Sequence, residues 1–179
     1  TRYWRELEEE NLSLRGDLTI PVPSYNDQEN FVKTGAALNL SERDYFQRGI
    51  SALGTSAHPF NRAGDPNMWM ASTNLQYINV RNFPANATYH GEQEIRAAYL
   101  MGDWAAFNWL RVVGGLRFES TDLTVDSFNL TQNRPLSPGN LQQDDWMPAL
   151  SLAYQPRADF EFRGSWSQTV VRPTYREIA

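Results

Sequence analysis

The sequence predicts an all-β fold: an antiparallel up-and-down meander of about six long strands, part of a large transmembrane β-barrel. Three observations carry this reading. Apolar and polar residues alternate in steps of two over long runs, and helical periodicity is scarce. The runs are long, beyond the ~5–6 residues typical of globular strands and close to the roughly 9–11 that a tilted strand needs to cross a bilayer. The links between runs sort into short and long, as in barrels with tight turns at one end and long loops at the other.

The elements follow in order. Residues 11–22 place Leu12, Leu14, Gly16, Leu18, Ile20 and Val22 on one side and Ser13, Arg15, Asp17 and Thr19 on the other. The stretch before them, Arg2 to Glu10, has helix-friendly Glu and Leu and is expected to be a short turn. Residues 31–41 set Val32, Thr34, Ala36, Leu38 and Leu40 against Lys33, Gly35, Ala37 and Asn39. The connecting PSYNDQEN is turn-forming. A long loop is expected over about 42–91, rich in Asn, Pro, Gly, Ser and aromatics; loops of that length are usually functional.

The third strand, 94–104, puts Ile95, Ala97, Tyr99 and Met101 in one row and Glu94, Arg96, Ala98 and Gly102 in the other. The fourth, 108–120, alternates Leu110, Val112, Leu116 and Phe118 with Arg111, Val113, Arg117 and Glu119. A medium loop over about 127–143 leads to 146–154, and a short QPRAD link to 160–168. There Phe160, Phe162 and Trp166 oppose Glu161, Arg163, Ser165 and Ser167.

Composition narrows the function classes. The 179 residues are 41% hydrophobic with a mean hydropathy of -0.58, and no apolar run suffices for a membrane-spanning helix. A barrel remains compatible, because an apolar outer row averages with a polar inner row. Cysteine is absent, which removes disulfide scaffolds and thiol nucleophiles. A net charge of -5 argues against nucleic acid as a partner. His58 and His90 are too few and too far apart to suggest a metal site. No phosphate loop, nucleophile elbow or zinc-binding helix motif appears, so no enzyme chemistry, cofactor or metal is expected. Six Trp, several near the ends of runs (Trp104, Trp109, Trp146), suit the aromatic girdles of a barrel. A soluble antiparallel sandwich also alternates and stays open as the rival fold.

The stretch EQEIRAAYLMGDWAAFNWLRVVGGLRFESTDL (92–123) resembles the barrel of TonB-dependent outer-membrane receptors. Its Gly114, Gly115, Arg117 and Glu119 hold the places of a Gly-Gly-x-Arg-x-Glu strand. WMPALSLAYQP (146–156) looks like the family's Pro-x-Leu strand. FRGSWSQTVVRPTYREIA (162–179) looks like its Arg-x-Ser-x-Ser strand followed by Arg172, Pro173 and the acidic Glu177. LSLRGDLTIPV near the start is similar to a more upstream barrel strand.

The resemblance implies a barrel of about 22 strands with a plugged lumen, of which this chain supplies about six. The plug domain and the TonB-contacting segment are then expected to be absent from it. The implied function is TonB-dependent uptake of a siderophore, vitamin or oligosaccharide in the outer membrane of a Gram-negative bacterium. The implied partners are the TonB energy-coupling complex, outer-membrane lipid and an unknown small-molecule ligand. A passive porin-like or structural barrel, or a soluble carbohydrate-binding β-sandwich, are the alternatives.

Candidate ligand contacts fall in two groups. His58, Phe60, Asn61, Asn67, Trp69 and Tyr77 lie in the 42–91 loop, where aromatics and amides stack on sugars or hold a chelate. The bland alternative is that the loop packs on itself. Arg96, Arg117, Glu119 and Arg163 are expected to face the lumen, together with Arg15, Asp17, Lys33, Arg111 and Glu161. Their mixed signs suit pairing across neighbouring strands at least as well as ligand contact. Arg117 and Glu119 are read first as a pairing unit.

Overall fold

The computed structural model describes residues 2–24, 28–54, 78–82 and 87–179 of the chain. Nearly all of them are extended. In chain order the elements are β1 (Arg2–Val22), β2 (Asn30–Gly54), β3 (Ile78–Asn82), β4 (Ala87–Phe107), β5 (Leu110–Asn129), β6 (Arg134–Pro135), β7 (Gly139–Arg157) and β8 (Phe160–Ser167), followed by one helical turn, α1 (Tyr175–Ile178). One sheet contains all the strands in the order β1-β2-β4-β5-β7-β8, with β3 on β2 and β6 on β5. The six long strands therefore neighbour one another in chain order, as a hairpin meander requires.

The strands are longer than the alternation marks. Arg2 to Glu10 is not a turn but the first half of β1. The expected 42–91 loop is strand at both ends, since β2 continues to Gly54 and β4 begins at Ala87. The 127–143 loop narrows as well, because β5 runs to Asn129 and β7 starts at Gly139. The cause is common to all three. In these extensions polar residues dominate both faces and the apolar ones are scattered, as where Glu42, Asp44, Phe46 and Arg48 alternate with Arg43, Tyr45 and Gln47. The hydrophobic alternation fades there, while the backbone ladder does not depend on it.

The chain divides into two units: residues 1–9, 43–90 and 126–138, and residues 10–42, 91–125 and 139–179. In the second unit the register is regular. Leu110 pairs with Tyr154, Leu116 with Pro148, Glu119 with Asp145 and Val125 with Gly139. Ala149 to Tyr154 pair with Ser167 back to Phe162. On one face of this unit lie Leu12, Leu14, Leu18, Leu100, Leu116, Leu150, Leu152, Phe162 and Trp166, each between 43% and 60% exposed. Large apolar side chains so open to their surroundings are the reverse of a water-soluble core. No second sheet covers them among the described residues. The sandwich alternative required that cover.

Aromatics close the apolar row near the short turns. Phe107 stacks on Trp109 at 4.8 Å, Trp109 meets Tyr154 edge-on at 5.5 Å, and Phe160 meets Phe162 edge-on at 4.6 Å. Phe118 and Trp146 lie 4.7 Å apart at the other end of the β5–β7 row. From Leu110 to Phe118 that row has the roughly 9–11 residue length that a tilted strand needs. No helix among the described residues is long and apolar enough to cross a membrane, which says nothing about crossing by strands.

In the first unit, β5 and β6 form a short hairpin. Phe128 pairs with Pro135 and Asn129 with Arg134. The Asn129 side-chain oxygen accepts the backbone N–H groups of Thr131 and Gln132 at 3.0 and 2.9 Å, and Asn133 takes the left-handed conformation that closes the turn.

Candidate functional site

The opposite face of the second unit carries the charges, and nearly every charge there has a partner. Arg15 donates to Asp17 at 2.9 Å. The Tyr99 hydroxyl donates to the same carboxylate, and the Arg15 guanidinium lies 5.9 Å from the Tyr99 ring centroid. Arg111 grips both oxygens of Asp103, at 2.6 and 2.9 Å. Arg163 does the same to Glu161, at 2.9 and 3.0 Å. Arg117 donates to Glu119 at 2.6 Å. Residues two apart on a strand share a face, so the pairs Arg15–Asp17, Arg117–Glu119 and Arg163–Glu161 follow from the sequence spacing, whereas Arg111–Asp103 and Tyr99–Asp17 join different strands.

One cluster is more elaborate. Arg172, in the segment after β8, reaches Glu119 on β5 at 2.8 Å and Asp145 on β7 at 3.1 Å. Glu119 and Asp145 are register partners, so one guanidinium joins two strands. Gln143 donates to the other oxygen of Asp145 at 2.8 Å. Glu119 is buried, while Arg163 and Glu161 are far more open. The same C-terminal segment sets Tyr175 against Gly91, with its hydroxyl donating to the Ser41 carbonyl at 3.2 Å. Ile178 lies against Gly139.

The first unit has its own cluster. Arg43 donates to Glu9 at 2.8 Å. The Gln47 side-chain oxygen accepts from Arg5 at 3.0 Å and from the Tyr45 hydroxyl at 2.6 Å. Tyr45 and Tyr89 stack at 4.9 Å with planes 21° apart, and the Arg5 guanidinium is 5.9 Å from the Tyr3 ring centroid. His90 pairs with Asp44 at 2.9 Å. Rings, guanidinium groups and amides gathered in this way can stack on a flat ligand and hydrogen-bond its edge.

Of the residues that sequence reasoning picked, Arg117, Glu119 and Arg163 take the polar face, as expected. Arg96 does not. It pairs with Glu94 at 2.7 Å and shares its face of β4 with the exposed Leu100 and Trp104. The row with Tyr99 is the polar one, because it also contains Asp103; its Ala97 and Ala105 are small, buried residues. The apolar look of Ile95, Ala97 and Met101 concealed this. His58, Phe60, Asn61, Asn67, Trp69 and Tyr77 lie outside the described residues. Arg5, Tyr45, Gln47 and Tyr89 were missed because their strand extensions were read as turn and loop. The signal available was the odd-numbered spacing of Arg43, Tyr45 and Gln47.

An apolar row and a paired polar row on the same long strands, in hairpin order, describe the wall of a membrane barrel. The family model for the TonB dependent receptor-like β-barrel matches residues 3–179. The chain belongs to that family. Among curated proteins no match was found. TonB-dependent receptors of this kind are outer-membrane transporters of Gram-negative bacteria, not an enzyme family. Membership assigns the two rows: the apolar row meets lipid and the paired polar row faces the lumen.

Proposed function

We propose that this chain forms part of the wall of a receptor for active, TonB-driven uptake of a small molecule, of the siderophore, vitamin or oligosaccharide class. The observation that carries the reading is the lumen row of paired charges. Each Arg there is held by a carboxylate, so the wall is strongly polar yet nearly neutral. Such a surface wets the passage without trapping a charged solute. Ligand contact falls to the more open Arg5 and Tyr45, which the buried Gln47 and Tyr89 hold in place, and to the segment containing His58, Phe60, Asn61, Asn67, Trp69 and Tyr77, whose aromatics and amides suit ring stacking and hydrogen bonding. Arg117, Glu119 and Arg163 serve the wall. The partners of the reading are the TonB complex, outer-membrane lipid and the ligand.

The test is accumulation of radiolabelled probes by cells that express the intact receptor, with and without TonB. A ferric siderophore, cobalamin and a malto-oligosaccharide cover the three ligand classes. Accumulation of one probe that disappears without TonB is expected. Accumulation that does not depend on TonB would replace active uptake with a passive, porin-like channel.

A further inference from the structure

The C-terminal segment leaves the sheet after Ser167 and crosses its polar face. Its first residue still follows the ladder, with the Gln168 N–H donating to the Pro148 carbonyl at 3.0 Å. From there it is held by side chains at three places. Arg172 is pinned between the carboxylates of Glu119 and Asp145. Tyr175 fills the notch left by Gly91, where a Cβ would collide with its ring. Ile178 fills a second notch at Gly139. The segment carries its own local order. The Thr174 backbone N–H donates to Glu177 at 2.6 Å, and the Glu177 N–H returns to the Thr174 carbonyl at 3.0 Å, closing one helical turn. That turn brings Tyr175 and Ile178, three residues apart, to neighbouring positions.

A strand of the sheet separates only by breaking its whole ladder. This segment has no ladder beyond Gln168: what holds it is two ion pairs, two filled notches and the Tyr175 hydrogen bond to Ser41. Its seated position is also imperfect. The Arg172 Nε is buried without a hydrogen-bond partner. Such groups regain partners when water reaches them. We propose that residues 168–179 form a latch that alternates between seated and lifted positions, and that lifting is required for a ligand to pass along the lumen face. The second half rests on the uptake reading.

Because this chain contains no cysteine, a disulfide can hold the latch down. In the intact receptor, Gly91→Cys with Tyr175→Cys replaces the notch contact by a bond. Oxidation should lower accumulation of the probe that the unmodified receptor takes up by at least tenfold, and a reductant should restore it. Equal accumulation before and after reduction overturns the latch. A second measurement needs no uptake. With Ile178→Cys in a receptor whose other cysteines, if it has them outside these 179 residues, are replaced by serine, labelling by a membrane-impermeant maleimide in outer-membrane vesicles should speed up about tenfold when Arg172→Gln is added. An unchanged labelling rate also overturns the latch. If the unmodified receptor accumulates none of the probes, the uptake reading fails, and the labelling rates still decide whether the segment lifts.

Discussion

Tyr99 on β4 reaches across Gly35 on β2 to donate its hydroxyl to Asp17 on β1. Three consecutive strands of the sheet are tied by one side chain, and only a glycine in the middle strand leaves it room. A Cβ at Gly35 would lie 2.7 Å from the Tyr99 ring and from the Gly16 carbonyl. Gly35→Val should therefore destabilise the intact receptor by about 1–3 kcal/mol, the usual cost of overpacking. Thermal unfolding in detergent measures it, and a melting temperature equal to the wild type would show that the crossing is slack.

Tyr99→Phe separates the ring from its hydroxyl. The ring still fills the notch, while Asp17 keeps Arg15 as its remaining partner. A small loss of stability is expected, because Asp17 is open to water that can replace the lost hydroxyl. Adding Asp17→Asn should cost less in Tyr99→Phe than in the wild type, and a double-mutant cycle reads the difference.

The two faces differ most sharply on β5 and β7. Leu116→Arg places a charge in the apolar row and should cost about 2–4 kcal/mol near the bilayer midplane. Ser151→Arg, on the lumen side between β5 and β8, should cost under about 1 kcal/mol. Heat-modifiable gel migration and unfolding in lipid distinguish them. Equal costs would contradict the assignment of the rows.

Glu119→Gln removes the negative partner shared by Arg117 and Arg172 without changing its shape. A loss of about 1–3 kcal/mol is expected because both guanidinium groups keep only neutral contacts at that position. Glu161→Gln, whose pair with Arg163 is open to solvent, should cost clearly less than Glu119→Gln. Unfolding of the two variants side by side checks the ratio.

Much of this architecture is legible in the sequence, because a bilayer imposes period-two patterning on the strands that cross it. Leu12, Leu14 and Leu18, or Leu116 and Phe118, betray their face at once. Pairs such as Arg117–Glu119 and Arg163–Glu161 follow from spacing alone. The reading failed where the bilayer no longer acts. Beyond the apolar row both faces are mostly polar, with only scattered apolar residues such as Phe46, so Arg43, Tyr45 and Gln47 looked like loop, and the cluster they form was invisible. The β4 rows were hard to assign because Ala97 and Ala105 are apolar for reasons of space rather than of lipid. Contacts distant in sequence, such as Arg172 with Glu119, have no local signature at all. The motif around Arg172 and Pro173 showed that the segment was distinctive but not where it goes.

The exposed leucines have a further consequence. A soluble protein carries its own apolar solvent, the interior, wherever it goes. This one has turned that interior outward and borrows a lipid phase to complete it. Its native state is thus defined only jointly with a bilayer or a detergent micelle. Transferred to plain buffer, the same chain would have no favourable arrangement for that face except against another copy of itself, and the expected product is aggregate rather than a stable monomer.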